Sequence, residues 1–81
     1  MIATLSKKTT QIEVDVFKTT VRRKEDAAKI VSLLNEYFPN HLINFDLDDC
    51  DKILRIEGEE NNQIFIKNAL GQYGFSCEAL L

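Results

Sequence analysis

Hydrophobic and polar residues alternate over residues 11–19, QIEVDVFKT, which predicts a half-buried β-strand. One side of this strand carries Ile12, Val14 and Val16, and we expect that side to face the core. The other side carries Glu13, Asp15 and Phe17, and we expect it to lie on the open face of a sheet.

The stretch KEDAAKIVSLLNEYF shows a helical spacing of three and four instead. Its apolar stripe consists of Ala27, Ile30, Val31, Leu34 and Phe38. Glu25 and Asp26 lie in the first turn, where the helix dipole favours carboxylates. Pro39 follows the stripe, so the helix is predicted to end just before it.

Two further apolar stretches, joined by an aspartate-rich turn, predict a hairpin in LINFDLDDCDKILRIEG. Its inward side chains are Ile43, Phe45 and Leu47 on the first arm and Leu54 and Ile56 on the second. A second helix follows, with a stripe of Phe65 or Ile66, Ala69, Leu70 and Tyr73. Gly74 is its expected left-handed stop, and a last strand places Phe75, Cys77 and Ala79 on one side.

The order strand, helix, strand, strand, helix, strand predicts an α+β, ferredoxin-like fold. In this βαββαβ arrangement two helices cover one face of a four-stranded antiparallel sheet. We expect one domain over residues 12–81 and a flexible N-terminus over residues 1–11. In that topology the loop after the first strand, the hairpin tip and the loop after the second helix should meet at one end of the sheet.

The hairpin INFDLDDCDKILRIEG and the helix end ALGQYGF resemble the corresponding parts of the heavy-metal-associated domain, the family of copper chaperones, over about residues 12 to 81. That family carries a Met-Thr-Cys-x-x-Cys motif between its first strand and first helix. Aligned by helix register, Val21 takes the Met position, where the resemblance implies an apolar side chain packed under the loop into the core. Arg22 takes the Thr position, Arg23 the first Cys and Asp26 the second. Both thiolates are absent, and copper(I) prefers sulfur, so the resemblance implies the fold without soft-metal transfer.

The charge and composition of the chain exclude some classes of binding partner. The net charge of −3 and the absence of a basic surround on the predicted open face argue against nucleic acid, since RNA-binding sheets of this topology combine aromatics with positive charge. The predicted open face carries Glu13, Asp15, Phe17, Asn44, Asp46, Ile53, Arg55, Glu57 and Glu78. We find neither a signal-peptide pattern nor an apolar run of spanning length, and therefore expect a cytoplasmic protein with no membrane partner.

Several side chains are candidates for a binding site. Arg22, Arg23 and Lys24 begin a helix where an anion could bind, but a solvated charged helix start is favoured because no glycine lets a phosphate approach. The run DLDDCD lacks the glycine and glutamate of an EF-hand loop and is read as a polar turn. Cys50, Asp48 and Asp51 nevertheless remain candidate metal ligands. Cys77 is expected to be a core residue, and His41, the only histidine, a surface residue.

These observations predict a small protein-binding or regulatory module with no enzymatic activity and no cofactor. Its partner is an unidentified protein, and the chain itself is expected to be a monomer or a weak homodimer. The candidate interaction loop is Arg22, Arg23 and Asp26; a sheet contact through Phe17, Ile53 and Leu80, or through an edge strand, is the other candidate surface. The alternative function is a divergent metal-binding domain that uses Cys50 and nearby carboxylates.

Overall fold

The computed structural model describes residues 11–80 of the 81-residue chain. The expectation of a flexible segment over residues 1–11 therefore falls outside this range, except for Gln11. Six elements follow in the order strand, helix, strand, strand, helix, strand. They are β1 (Glu13–Thr19), α1 (Lys24–Tyr37), β2 (Leu42–Asp46), β3 (Ile53–Gly58), α2 (Gln63–Gln72) and β4 (Cys77–Leu80).

The four strands form one antiparallel sheet in the order β2-β3-β1-β4. β1 is a central strand: Phe17 lies opposite Leu54 of β3 on one side and opposite Ala79 of β4 on the other. β2 and β4 are the two edges. This arrangement confirms an α+β fold with four antiparallel strands and two helices.

The core lies between the sheet and the two helices, and its residues are apolar except for Thr19. Both helical stripes contribute, as their spacing predicts. The buried hydrophobic residues are Phe17, Val21, Ala27, Ile30, Leu34, Leu54, Ile56, Ile66, Ala69 and Leu70. No helix within residues 11–80 combines the length and the apolar character needed to cross a bilayer.

The predicted orientation of β1 is wrong. Phe17 is completely buried and Thr19 is 5% exposed, whereas Ile12 and Val14 are 61% and 49% exposed. The reason is the strand register: directly paired residues share a face, and Phe17 is paired with Leu54, which is itself in the core. The open face is therefore lined by Val14 and its neighbours of the same parity.

The helix ends follow the sequence signals. α1 ends at Tyr37, two residues before Pro39. The N-cap of α2 is Asn62, whose side chain accepts a hydrogen bond from the Phe65 N–H, and Gly74, with a φ of 84°, follows the C-cap Tyr73. The Gly74 N–H donates to Gly71 O and the Phe75 N–H to Leu70 O, both at 3.0 Å. These two bonds form a Schellman motif, which requires the left-handed residue supplied by glycine.

His41 is more buried than the surface residue that the sequence predicts. It is half-buried, its ring lies 4.8 Å from the ring of Phe38, and its Nε2 donates to Glu59 O at 2.9 Å. The ring covers Gly58 so closely that a Cβ at residue 58 would overlap it. His41 is therefore a packing residue that seals the end of the sheet where β2 begins.

Candidate functional site

Three loops meet at one end of the sheet, which confirms the predicted convergence. The backbone N–H of Thr19 donates to Asp51 O at 3.1 Å and to Lys52 O at 3.2 Å, which joins the end of β1 to the hairpin tip. The N–H of Thr20 donates to Ser76 O at 3.3 Å, and the N–H of Ser76 donates to the Thr20 hydroxyl at 3.0 Å. The loop after α2 is thereby held against the loop after β1. We call this surface the loop end; it comprises residues 20–26, 47–52 and 73–76.

Thr19 and Val21 anchor the turn between β1 and α1. The Thr19 hydroxyl donates to Lys52 O at 2.6 Å and accepts from the Val21 N–H at 3.2 Å. The Val21 side chain is fully buried in the core. The turn is thus fixed from below by one apolar side chain and one hydroxyl, and sequence reasoning identified the first but not the second.

The side chains above this anchor are charged and open to solvent. Arg22 and Arg23 are exposed, and Asp26 is half-buried. Arg23 is the N-cap of α1 and makes no side-chain capping bond, but its Nε lies 3.8 Å from the Glu25 carboxylate, with both side chains 71% exposed. An ion pair so exposed contributes little to stability, so these side chains are free to contact another molecule.

At the hairpin tip the aspartates support the turn, as predicted. Asp46 accepts from the Asp48 N–H at 3.2 Å, and Asp49 accepts from the Asp51 N–H at 2.8 Å. Lys52 has a φ of 50°, and its ammonium group donates to Leu47 O at 2.8 Å. Two carboxylates therefore serve the local backbone, which is the usual role of aspartate in turns.

Cys50 and its neighbours also form the one cluster of three metal-ligating residue types found within residues 11–80. The ligand atoms of Asp49, Cys50 and Asp51 all lie within 4.8 Å of one another, with Asp49 and Cys50 exposed and Asp51 half-buried. The cluster includes Cys50 and Asp51 from the predicted set but not Asp48, whose place is taken by Asp49. A thiol with two carboxylates is a donor set that suits zinc better than copper(I).

Cys77 lies at the margin of the core and not within it, so the prediction of a core residue is only partly met. It is half-buried and packs against the hydrophobic core. Burial raises the pKa of its thiol to about 11, although Lys67 opposes the shift. The thiol is therefore neutral at physiological pH and a poor metal ligand, because metals bind the thiolate.

On the open sheet face the predicted contact set is only partly present. Phe17 is buried and unavailable, Ile53 is half-buried, and Leu80 is 38% exposed. The pairings also place Lys18 and Arg55 there, beside Glu57 and Glu78. The face is therefore of mixed charge, because Lys18 lies on it while Glu13 and Asp15 lie on the opposite face of β1.

Asp15 lies on the core side of β1, and its surroundings explain how a carboxylate is tolerated there. The Asn61 side-chain amide donates to Asp15 Oδ2 at 2.7 Å, and the Gln63 amide donates to Asp15 Oδ1 at 2.9 Å. Asn61 also donates to Glu13 O and to Ile56 O, both at 3.3 Å. Asn61 and Gln63 are 46 to 48 residues away from the β1 residues that they contact, so no local sequence pattern predicts these hydrogen bonds.

A groove of about 610 Å³ runs between α1 and the edge strand β2. Its apolar lining includes Ala28, Val31, Ile43, Phe45 and Leu47. Chemically, the molecule thus offers a charged loop end with one exposed thiol and an apolar groove at a sheet edge. No protein-family model matches the chain, and neither a curated protein nor a solved structure is significantly similar to it.

Proposed function

We propose that this chain is a ferredoxin-like domain related to the heavy-metal-associated family, and that it works through protein contact without transferring soft metal. The fold assignment is supported by the element order together with the sheet order β2-β3-β1-β4. In this order the two βαβ halves interleave, as they do in the split βαβ arrangement.

One observation carries the functional part of the proposal. The turn between β1 and α1 keeps a buried apolar anchor, Val21, at the position where the resemblance puts the family's methionine. The two positions that the resemblance assigns to metal thiolates carry Arg23, a fixed cation, and Asp26. The support for the turn is therefore retained while soft-metal ligation at those positions is lost, because an arginine repels a cation and has no lone pair to offer.

Protein contact is supported by what the surface offers. Arg22 and Arg23 project from a turn that the Thr19 hydrogen bonds hold in place, and a fixed loop loses little conformational entropy on binding. Arginine is also enriched at protein interfaces. Both cysteines are free thiols, which supports a cytoplasmic location.

The second candidate function is metal binding at the hairpin tip. It is favoured by one observation, the convergence of Asp49, Cys50 and Asp51. Against it, Asp49 already accepts a hydrogen bond from the Asp51 N–H, so one carboxylate oxygen serves the turn.

The metal arm of the test is an amide NMR titration of the reduced protein with copper(I), zinc and calcium in turn. We expect no ion to shift the amide resonances of the loop end, and stoichiometric copper(I) binding there would refute the proposal. Cys50→Ser and Cys77→Ser are matched variants for the second candidate. Zinc binding that is lost in Cys50→Ser and kept in Cys77→Ser would establish the hairpin-tip site.

The contact arm uses charge reversal. The measurement is cross-linking of the chain to its partner in the cells that produce it. We expect the double variant R22E/R23E to lose the cross-linked partner, whereas Lys29→Glu, a charge reversal at an exposed position of α1, keeps it. A partner retained equally by both variants would rule out the Arg22–Arg23 loop as the contact.

A further inference from the structure

The two edges of the sheet are protected to different degrees. An edge strand presents unpaired backbone N–H and C=O groups, and proteins usually shield them with short strands, lysine, proline or inward charges. β4 has only four residues and carries Glu78. β2 has five residues, LINFD, with no lysine or proline and its single charge at the last position. β2 is thus longer than β4 by one residue, and it carries neither lysine nor proline to oppose pairing.

The groove beside β2 makes the same edge apolar. The core-side residues of β2, Ile43 and Phe45, are only half-buried, because α1 does not cover them completely. The residues of α1 that border the groove include the small side chains Ala28 and Ser32, both exposed. An added strand would thus gain backbone hydrogen bonds and apolar contact together.

We propose that the occupant of this edge is a second copy of the chain, with the two β2 strands paired antiparallel about a two-fold axis at Asn44. This dimer goes beyond the proposed function, because it uses the β2 edge and not the Arg22–Arg23 loop. A two-fold axis perpendicular to the sheet keeps equivalent faces together, so only residues of the same parity can lie opposite each other. Centring the axis on Asn44 is the one such register that pairs all five residues of β2.

That register is self-complementary. On the core side, Ile43 lies opposite Phe45 of the second copy, and the reverse pair is formed by symmetry; aromatic and β-branched residues are a favourable cross-strand pair. On the open side, Asn44 meets its own equivalent and Asp46 lies opposite Leu42, so no like charges face each other.

Pairing also closes the groove. Ile43 and Phe45 of each copy are covered by those of the other, and the small side chains Ala28 and Ser32 leave room for the second α1 helix. About four to six backbone hydrogen bonds join five paired residues on each strand, depending on which alternate groups point outward.

Leu42 gives a register-specific test, because it is 63% exposed and predicted to face Asp46 of the second copy. Because each residue 42 lies opposite an Asp46, Leu42→Lys creates two pairs of opposite charges in the dimer. Leu42→Asp creates two pairs of like charges. We expect Leu42→Lys to tighten and Leu42→Asp to weaken the dimer, each by between about two-fold and thirty-fold in Kd. The measurement is sedimentation equilibrium of the full chain over a range of concentrations.

Leu80→Lys and Leu80→Asp are the matched controls, since Leu80 is 38% exposed on the same face at the opposite edge, and we expect them to leave the Kd unchanged. Residue 42 is also paired with Glu57 of its own chain, so the Leu42 variants change the stability of the monomer as well. Thermal melts at a concentration where the chain is monomeric measure that change separately from the effect on the dimer. A chain that is monomeric at all concentrations, or two Leu42 variants that shift the Kd in the same direction, would overturn this dimer. Either result leaves the copper(I) titration to decide the proposed function separately.

Discussion

Replacing Gly58 with alanine tests how the structure is closed at the end of the sheet opposite the loop end. A Cβ at residue 58 would overlap Cγ and Cδ2 of His41 and come within 2.6 Å of its Nε2. The imidazole must therefore move. Its hydrogen bond to Glu59 O and its contact with the Phe38 ring are then both lost.

The cost follows from these two contacts. A neutral hydrogen bond contributes about 0.5–1.5 kcal/mol, and an aromatic pair contributes a similar amount. Gly58→Ala should therefore lower the free energy of unfolding by about 1–3 kcal/mol. With His41→Ala in the background the obstacle is gone, and the same change should stabilise the protein by about 0.5–1 kcal/mol, because alanine loses less backbone entropy than glycine on folding.

The assay is a double-mutant cycle measured by urea denaturation. Its informative feature is a change of sign: Gly58→Ala destabilises the parent chain and stabilises the His41→Ala chain. If Gly58→Ala destabilises both chains equally, then the backbone of residue 58, and not the imidazole above it, is what requires glycine.

Three other residues give further predictions by the same denaturation assay. Gly71→Ala should stabilise the protein by about 0.5–1 kcal/mol, because a Cβ there meets no atom and residue 71 is helical, whereas Gly74→Ala should cost about 1 kcal/mol because its φ is 84°. Equal effects of these two glycine changes would contradict the Schellman assignment. The free energy of unfolding should fall as the pH rises from 9.0 to about 11, because the Cys77 thiol ionises first in the unfolded chain, its folded pKa being raised by burial. The stability conferred by the neutral thiol is fully present below pH 9.0 and lost through pH 11, and Cys77→Ala should flatten the profile over this range.

The sequence predicted the elements well, because their signals are local. The helical stripes, the stop at Pro39, the aspartate turn and the left-handed Gly74 all depend on residues within a few positions of one another. The meeting of three loops at one end followed from strand directions alone.

The wrong and missing predictions concern features that depend on which elements pack together in the folded chain. Alternation in β1 separates two sides but does not say which one meets the helices, and the apolar residues Ile12 and Val14 favoured the wrong side. A usable signal was present: Phe17 and Val21 have the same parity, and Val21 had already been placed in the core. The amide of Asn61 that satisfies Asp15, and the packing of His41 on Gly58, join residues that only the folded sheet brings together.

The hydrogen bonds of Thr19 and Thr20 have a consequence for the order of folding. They join residues 33 and 56 positions apart, whereas the adjacent strand pairs span 35 to 45 residues between β1 and β3 and 58 to 64 residues between β1 and β4. Because the entropy cost of closing a loop grows with its length, the loop end closes together with the strand pairs that it continues, and not after them. A partner that binds the closed loop end therefore stabilises the paired sheet as well, without any change to the core.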